Sequence, residues 1–179
     1  MRLVFGMDPI VSNWVAARVP HVGLRGFGPC VAIGIVDSNE QPIGGVVYNN
    51  YQPQYGSIDI SCASITPRWL TKRMIRGIFA YPFDQLKVGR VTAVTPRKAT
   101  SPRRFLEQFG FKLEGLVRRG FGTDDAVVYG LLVEEWQKTR WMQDRASTGG
   151  LDVKRAVKVV RRRRRQILTP VPRVAEQIH

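Results

Sequence analysis

Residues 105–115 read Phe105-Leu106-Glu107-Gln108-Phe109-Gly110-Phe111-Lys112-Leu113-Glu114-Gly115, and the stretch changes period in its middle. Phe105, Leu106 and Phe109 fall at helical spacing and share one apolar face. Gly110 stands where a helix ends in a left-handed residue, a conformation that glycine adopts without steric cost. The chain from Lys112 to Arg119 then reads as a strand. A helix, a glycine stop and a strand are expected in that order.

Working outward, Ser101-Pro102 opens this helix, since proline at the first helical position loses nothing by lacking an N–H. Downstream, Ala126 to Val133 forms a second strand, joined to the first by Gly120-Phe121-Gly122-Thr123-Asp124-Asp125, a hairpin by composition. Upstream lies a strand over Arg90–Val94, and before it the longest helix. Thr66-Pro67 is its expected start, and Leu70, Met74, Ile75, Ile78, Phe79 and Phe83 make its buried stripe. Three strands precede it: Val31–Val36 and Ile43–Tyr48 around an Asp37-to-Pro42 loop, then Ser57–Ile65 after a polar turn over residues 49–56. Near the start, Leu3–Phe5 is a short strand. Asp8-Pro9 reads as a cap followed by proline, opening a helix that carries Ile10, Val11, Trp14, Val15 and Val19 up to Pro20. The order β-α-β-β-β-α-β-α-β-β predicts an α/β (α+β) fold, a mixed sheet covered by helices. One domain over residues 1–136 is expected, followed by a basic extension over residues 137–179.

The 179 residues suit one domain with an appendage. Lys and Arg number 28 against 14 Asp and Glu, a formal net charge of +14. Of these, 12 bases and three acids lie in residues 138–179, so the tail carries most of the excess. Cys30 and Cys62 stand far apart in apolar runs and offer neither a disulfide framework nor a zinc spacing. With His21 and His179 the only histidines, a histidine-rich metal site or triad is not expected, and no metal is expected at all. No apolar run reaches the roughly 20 residues of a membrane span. The expected setting is an intracellular one.

The stretch quoted first, continued through Arg118, resembles the late motif of the GNAT acyltransferases, and Asp125-Ala126-Val127-Val128-Tyr129-Gly130-Leu131-Leu132 resembles the last strand of that fold. The helix with Arg76 and Ala80-Tyr81-Pro82-Phe83-Asp84-Gln85-Leu86, and the strand Arg90–Val94, are similar to short forms carried by tailed phages. The resemblance covers roughly residues 30–135. It implies a GNAT-like, mostly antiparallel twisted sheet flanked by helices, and transfer of an acetyl group from acetyl-CoA to an amine by direct attack. It also implies the cytoplasm of an infected bacterial host, or the virion, as the setting.

In that family the CoA pyrophosphate rests on the start of the central helix, where unpaired N–H groups and the helix dipole favour an anion. The matching segment here places Ile65, Arg68, Thr71, Lys72, Arg73 and Arg76 around the cofactor, with Thr95 and Phe105 further along it. The family's glycine-rich turn is missing. Thr71, Lys72 and Arg73 occupy it, and side chains would then hold the phosphates. Ala99 and Phe105 replace the family's usual asparagine and tyrosine, and Phe105 has no proton to give. Arg25-Gly26-Phe27-Gly28 mimics a phosphate loop but precedes a strand, so it reads as a connector or cleft-lining loop. Asp59 and Ser61 are the candidate base or water relay, with a solvated polar face the competing reading of Asp59. Tyr129 is the candidate acid, with packing as its competing role.

Beyond residue 150, Val153, Val157, Val160, Ile167 and Leu168 share a broad helical face, so a helix is expected over about 151–168. Lys154, Arg155, Lys158, Arg161, Arg162, Arg163, Arg164 and Arg165 make it basic and suit nonspecific DNA or RNA, an anionic surface or a virion protein. Nothing aromatic follows Trp141 for base stacking. Two functions are open: an acetyltransferase localised by its tail, and a GNAT-shaped phage protein that has lost catalysis and serves as a virion or nucleic-acid-binding scaffold.

Overall fold

The computed structural model describes residues 1–143. The elements are β1 (Arg2–Val4), α1 (Asp8–Ala16), β2 (Cys30–Val36), β3 (Pro42–Gln52), β4 (Ser57–Ser64), α2 (Lys72–Ala80), β5 (Arg90–Pro96), α3 (Thr100–Gln108), β6 (Lys112–Phe121), β7 (Asp124–Leu132) and α4 (Val133–Lys138). The strands form one seven-stranded sheet in the order β1-β2-β3-β4-β5-β7-β6. Every pairing is antiparallel except β4 with β5. The mixed sheet flanked by helices is what the order of elements predicts, and its mostly antiparallel pairing is what the family resemblance implies.

Alternation along the strands divides the core in two. Ile33, Ile35, Val46, Ile58 and Val91 point to one face, where the stripe of α2 and Leu106 and Phe109 of α3 cover them. Ala32 and Val47 point to the other face and meet Val15 and Val19 from α1 and the turn after it. Glycine makes the close approaches possible. A methyl group at Gly45 would sit 2.6 Å from a Val15 methyl, so α1 lies directly on β3.

Pro82 explains a local irregularity. Lacking an N–H, it cannot bond the carbonyl of Ile78 one turn earlier, and the chain leaves α2 through a π-helical turn over Tyr81–Gln85. The hydroxyl of Tyr48, on β3, donates to that Ile78 carbonyl at 3.2 Å. That carbonyl also accepts the Tyr81 N–H, so Tyr48 adds a second donor to it from across the core.

Several boundaries differ from the expectation. The central helix starts at Lys72, with Thr71 as its cap, and Thr66-Pro67 belongs to a turn before it. Trp69, between that turn and the helix, is buried at 4% exposure. Asp8 is not a cap either: its carboxylate accepts the Ala32 N–H at 2.7 Å, which ties α1 to β2. β3 runs on to Gln52 through an irregularity in its pairing with β4, with Asn50 at φ 50°. The Arg25-to-Gly28 segment is a connector whose Phe27 packs on the α1 cluster. Past the expected domain end near Trp136, Trp141 stacks on Phe109 with ring centroids 5.2 Å apart, and its carbonyl accepts from Arg76 Nε. The expected tail helix and its bases lie outside the described residues.

Candidate functional site

β4 and β5 pair over three positions, Ser57 with Arg90, Ile58 with Val91 and Asp59 with Thr92. β4 then runs on to Ser64 and β5 to Pro96 with no partner between them. The gap that opens is a groove of about 1160 Å³, walled by Ile60–Ser64 on one side and Ala93–Pro96 on the other. It is somewhat larger than a typical ligand cleft of roughly 300–1,000 Å³.

The groove reaches both faces of the sheet. On the α2 and α3 side its wall is Trp69 and Phe105, with ring planes 19° apart and centroids at 5.8 Å. Behind this pair lies a smaller apolar cavity of about 40 Å³, lined in part by Ile60, Cys62 and Ile78. Burial pushes the Cys62 thiol up to about 12, so it stays protonated and unreactive. On the α1 side the mouth is formed by Arg18, Pro20 and His21 from the end of the first helical segment and by Gly120 and Phe121 from the β6–β7 hairpin. The His21 and Phe121 rings meet at 4.5 Å and bridge the two halves of the molecule. Burial lowers the His21 pKa below the usual imidazole value of 6.5, because the charged form loses solvent there. The imidazole is therefore neutral near pH 7 and able to accept a proton.

Trp69 also links the groove to the start of α2, three residues further on. Thr71 Oγ1 accepts the Met74 N–H at 3.3 Å. As in any α-helix, the first-turn N–H groups have no partner inside the helix. Lys72 and Arg73 add positive charge at this end.

The residues expected from the sequence separate into three groups. Ser61, Thr95 and Phe105 line the groove, and Thr95 is buried there at 6% exposure. Ile65 and Arg68, both exposed, lie on the segment between β4 and α2, and Thr71, Lys72, Arg73 and Arg76 follow along the helix start. Asp59 and Tyr129 do not line the groove. Asp59 sits at the last paired position, where its carboxylate accepts from Asn50 at 2.9 Å. Burial raises its pKa above the ordinary carboxylate value, while the Asn50 hydrogen bond and the charge of Arg90 oppose the rise. Tyr129 is fully buried in β7; its hydroxyl donates to Glu107 Oε1 at 2.9 Å and accepts from Arg103 Nε at 3.1 Å. The structure thus gives Tyr129 a packing and hydrogen-bonding role away from the groove. Lys154, Arg155, Lys158 and the arginine run lie outside the described residues.

Arg18, His21, Trp69 and Phe121 line the groove without having been singled out as site residues. A signal existed for His21, the one histidine within the described residues. Among those residues, no group of three His, Cys, Asp or Glu is placed to hold a metal, and no helix is long and apolar enough to cross a membrane.

By sequence, the chain matches no family model and no curated protein. By structure, it is similar to the spermidine/spermine N-acetyltransferase of Vibrio cholerae, with 15% identity, a TM-score of 0.54, and 60% of this chain matched to 69% of that one. A candidate acetyltransferase superposes with 25% identity and a TM-score of 0.55, over 63% of this chain and 64% of the other. Another, from T. thermophilus, does so with 24% identity and a TM-score of 0.53, over 61% and 62%. The chain spans about two thirds of the length of these neighbours. At these identities the likeness is one of fold, and the fold is GNAT-like.

Proposed function

We propose that this GNAT-like chain is an acetyl-CoA-dependent N-acetyltransferase that acetylates a primary amine by direct attack. The observation that carries the reading is the parting of β4 and β5 after three paired residues. It opens a passage from the α2 and α3 side of the sheet to the α1 side, so two substrates can meet within it. The acetyltransferase character of the fold neighbours supports the same reading.

The residues present fit the cofactor by their chemistry. The α2 N-terminus with Lys72 and Arg73 suits a pyrophosphate, and the parted strands suit a slender amide-bearing arm. When bound, acetyl-CoA supplies an activated acetyl group that a neutral amine can take directly, with release of the thiol. Trp69 and Phe105 exclude water from the α2 side of the passage. The unpaired backbone edges of Ser61–Ser64 and Ala93–Thr95 offer hydrogen bonds along it. His21, neutral and at the α1-side mouth, takes the ammonium proton onto an imidazole nitrogen, with the Ser61 hydroxyl as a relay.

A second reading, a GNAT-shaped scaffold without catalysis, is favoured by Phe105, which packs between Trp69 and Phe109 and has no hydroxyl. Isothermal titration of acetyl-CoA into the full chain at rising salt separates the two. Saturable micromolar binding that survives moderate salt, and is lost in Lys72→Glu with Arg73→Glu, supports the enzyme. Absence of binding overturns it in favour of the scaffold.

A further inference from the structure

The two ends of the groove differ in what they offer a ligand. The α1-side mouth holds Arg18, whose guanidinium stacks 3.8 Å from the centre of the Trp14 ring and donates from Nη1 to the Trp14 carbonyl at 3.0 Å. Two restraints thus hold a side chain that would otherwise sweep a wide arc. Guanidinium carries five N–H donors in a planar fork that matches a carboxylate or phosphate. Arg18 has no ion pair among the described residues.

Among the described residues, no aspartate or glutamate lines the groove. The other groove residues on the α1 side, His21, Ser61, Ala63, Gly120 and Phe121, carry no charge near pH 7, and Arg104 on α3 adds a second cation on the far side of the groove. The nearest hairpin acids are committed elsewhere. Asp125 accepts the Arg119 N–H at 2.9 Å and pairs with Arg97 at 3.3 Å, and Asp124 accepts the Lys98 N–H at 3.2 Å. A polycationic amine entering here would meet like charge and find no carboxylate, an arrangement that turns partners away. An amine with an anionic group would find a pre-positioned fork beside a neutral imidazole.

We infer that the α1-side mouth selects an acceptor amine that also carries an anionic group, anchored by Arg18, and that it rejects polyamines even though one of the fold neighbours is named for them. This rests on the acetyltransferase reading above and specifies its acceptor class.

The test uses the full chain and two probes, O-phosphoethanolamine and spermidine. Direct binding of each is followed by titration without cofactor, and acetylation by thiol release with acetyl-CoA. O-phosphoethanolamine is expected to bind and be acetylated, and spermidine to do neither. Arg18→Glu should weaken O-phosphoethanolamine about tenfold or more, the loss of one charge-assisted contact, while leaving acetyl-CoA affinity unchanged. Arg18→Gln should fall between, and a thermal melt confirms that both variants fold. Preference for spermidine, binding of neither probe, or an Arg18→Glu variant with unchanged affinity overturns the inference. Binding of O-phosphoethanolamine in a chain that does not bind acetyl-CoA overturns only the acetyltransferase reading.

Discussion

The indole of Trp69 packs against Gly44, so close that a methyl carbon there would sit 3.0 Å from Trp69 Cζ3 and nearer still to Cε3. The groove wall therefore depends on a missing side chain in a neighbouring strand. Gly44→Ala should displace the indole, with a stability loss of about 1–3 kcal/mol from overpacking. Because Trp69 is groove wall on its other side, acetyl-CoA affinity should fall as well. Denaturant unfolding and calorimetry together check this; a stable variant with normal affinity would show that the indole is not held in this way.

Tyr129 separates a structural role from a catalytic one. Its hydroxyl joins Glu107 to Arg103 and lies apart from the groove. Tyr129→Phe should lower stability by about 1–3 kcal/mol, since both neighbours are charged groups. Turnover at a temperature well below the melt should stay near wild type. A collapse of kcat without a stability loss would restore Tyr129 as the acid.

Asp59 should make the protein less stable as pH rises. Its pKa is raised on folding by burial, so between the ordinary carboxylate value of 3.8 and the folded value the native state holds the extra proton. Stability contributed by that proton is present at low pH and is lost as pH rises through the folded pKa. Asp59→Asn can still accept from Asn50 and should raise Tm most near neutral pH, with the gain vanishing below the carboxylate range. Melting curves across pH read the effect directly, and a variant less stable at pH 7 would contradict it.

His21 carries the opposite sign. Its folded pKa is lowered, so the unfolded chain binds the proton more readily between that value and 6.5. Its contribution is fully present above 6.5 and is lost as pH falls through the lower folded value. His21→Gln should flatten this acid-side loss in Tm. In kinetics it should also remove the acid limb of kcat/KM, if acetylation is measured with an accepted amine. An unchanged limb would assign the base elsewhere.

The sequence displays local features of this fold more readily than the site. Gly110, at φ 96°, closes α3 as its position implied, because a left-handed stop is a property of one residue and its immediate neighbours. The start of α2 was harder to read. Thr66-Pro67 carries the local start signal, yet the helix is capped by Thr71, and the intervening segment holds the buried Trp69. Ser61 was within reach, since strand alternation puts it on the polar face, and Thr95 and Phe105 through the family resemblance. Arg18, His21 and Phe121 were not, because their meeting depends on where β4 and β5 cease to pair. That is a non-local register no single segment encodes.

Three residue pairs are also all the ladder that joins β1–β4 to β5–β7. The sheet has a seam there, weaker than any other central junction in it. Thermal motion and amide exchange should concentrate along this line before any helix loosens. A ligand lying in the groove bridges the seam, and its backbone-facing groups would complete the interrupted ladder. Ligand binding there would be a form of splinting, and the ligand-bound chain should open as one cooperative unit where the free chain opens in two.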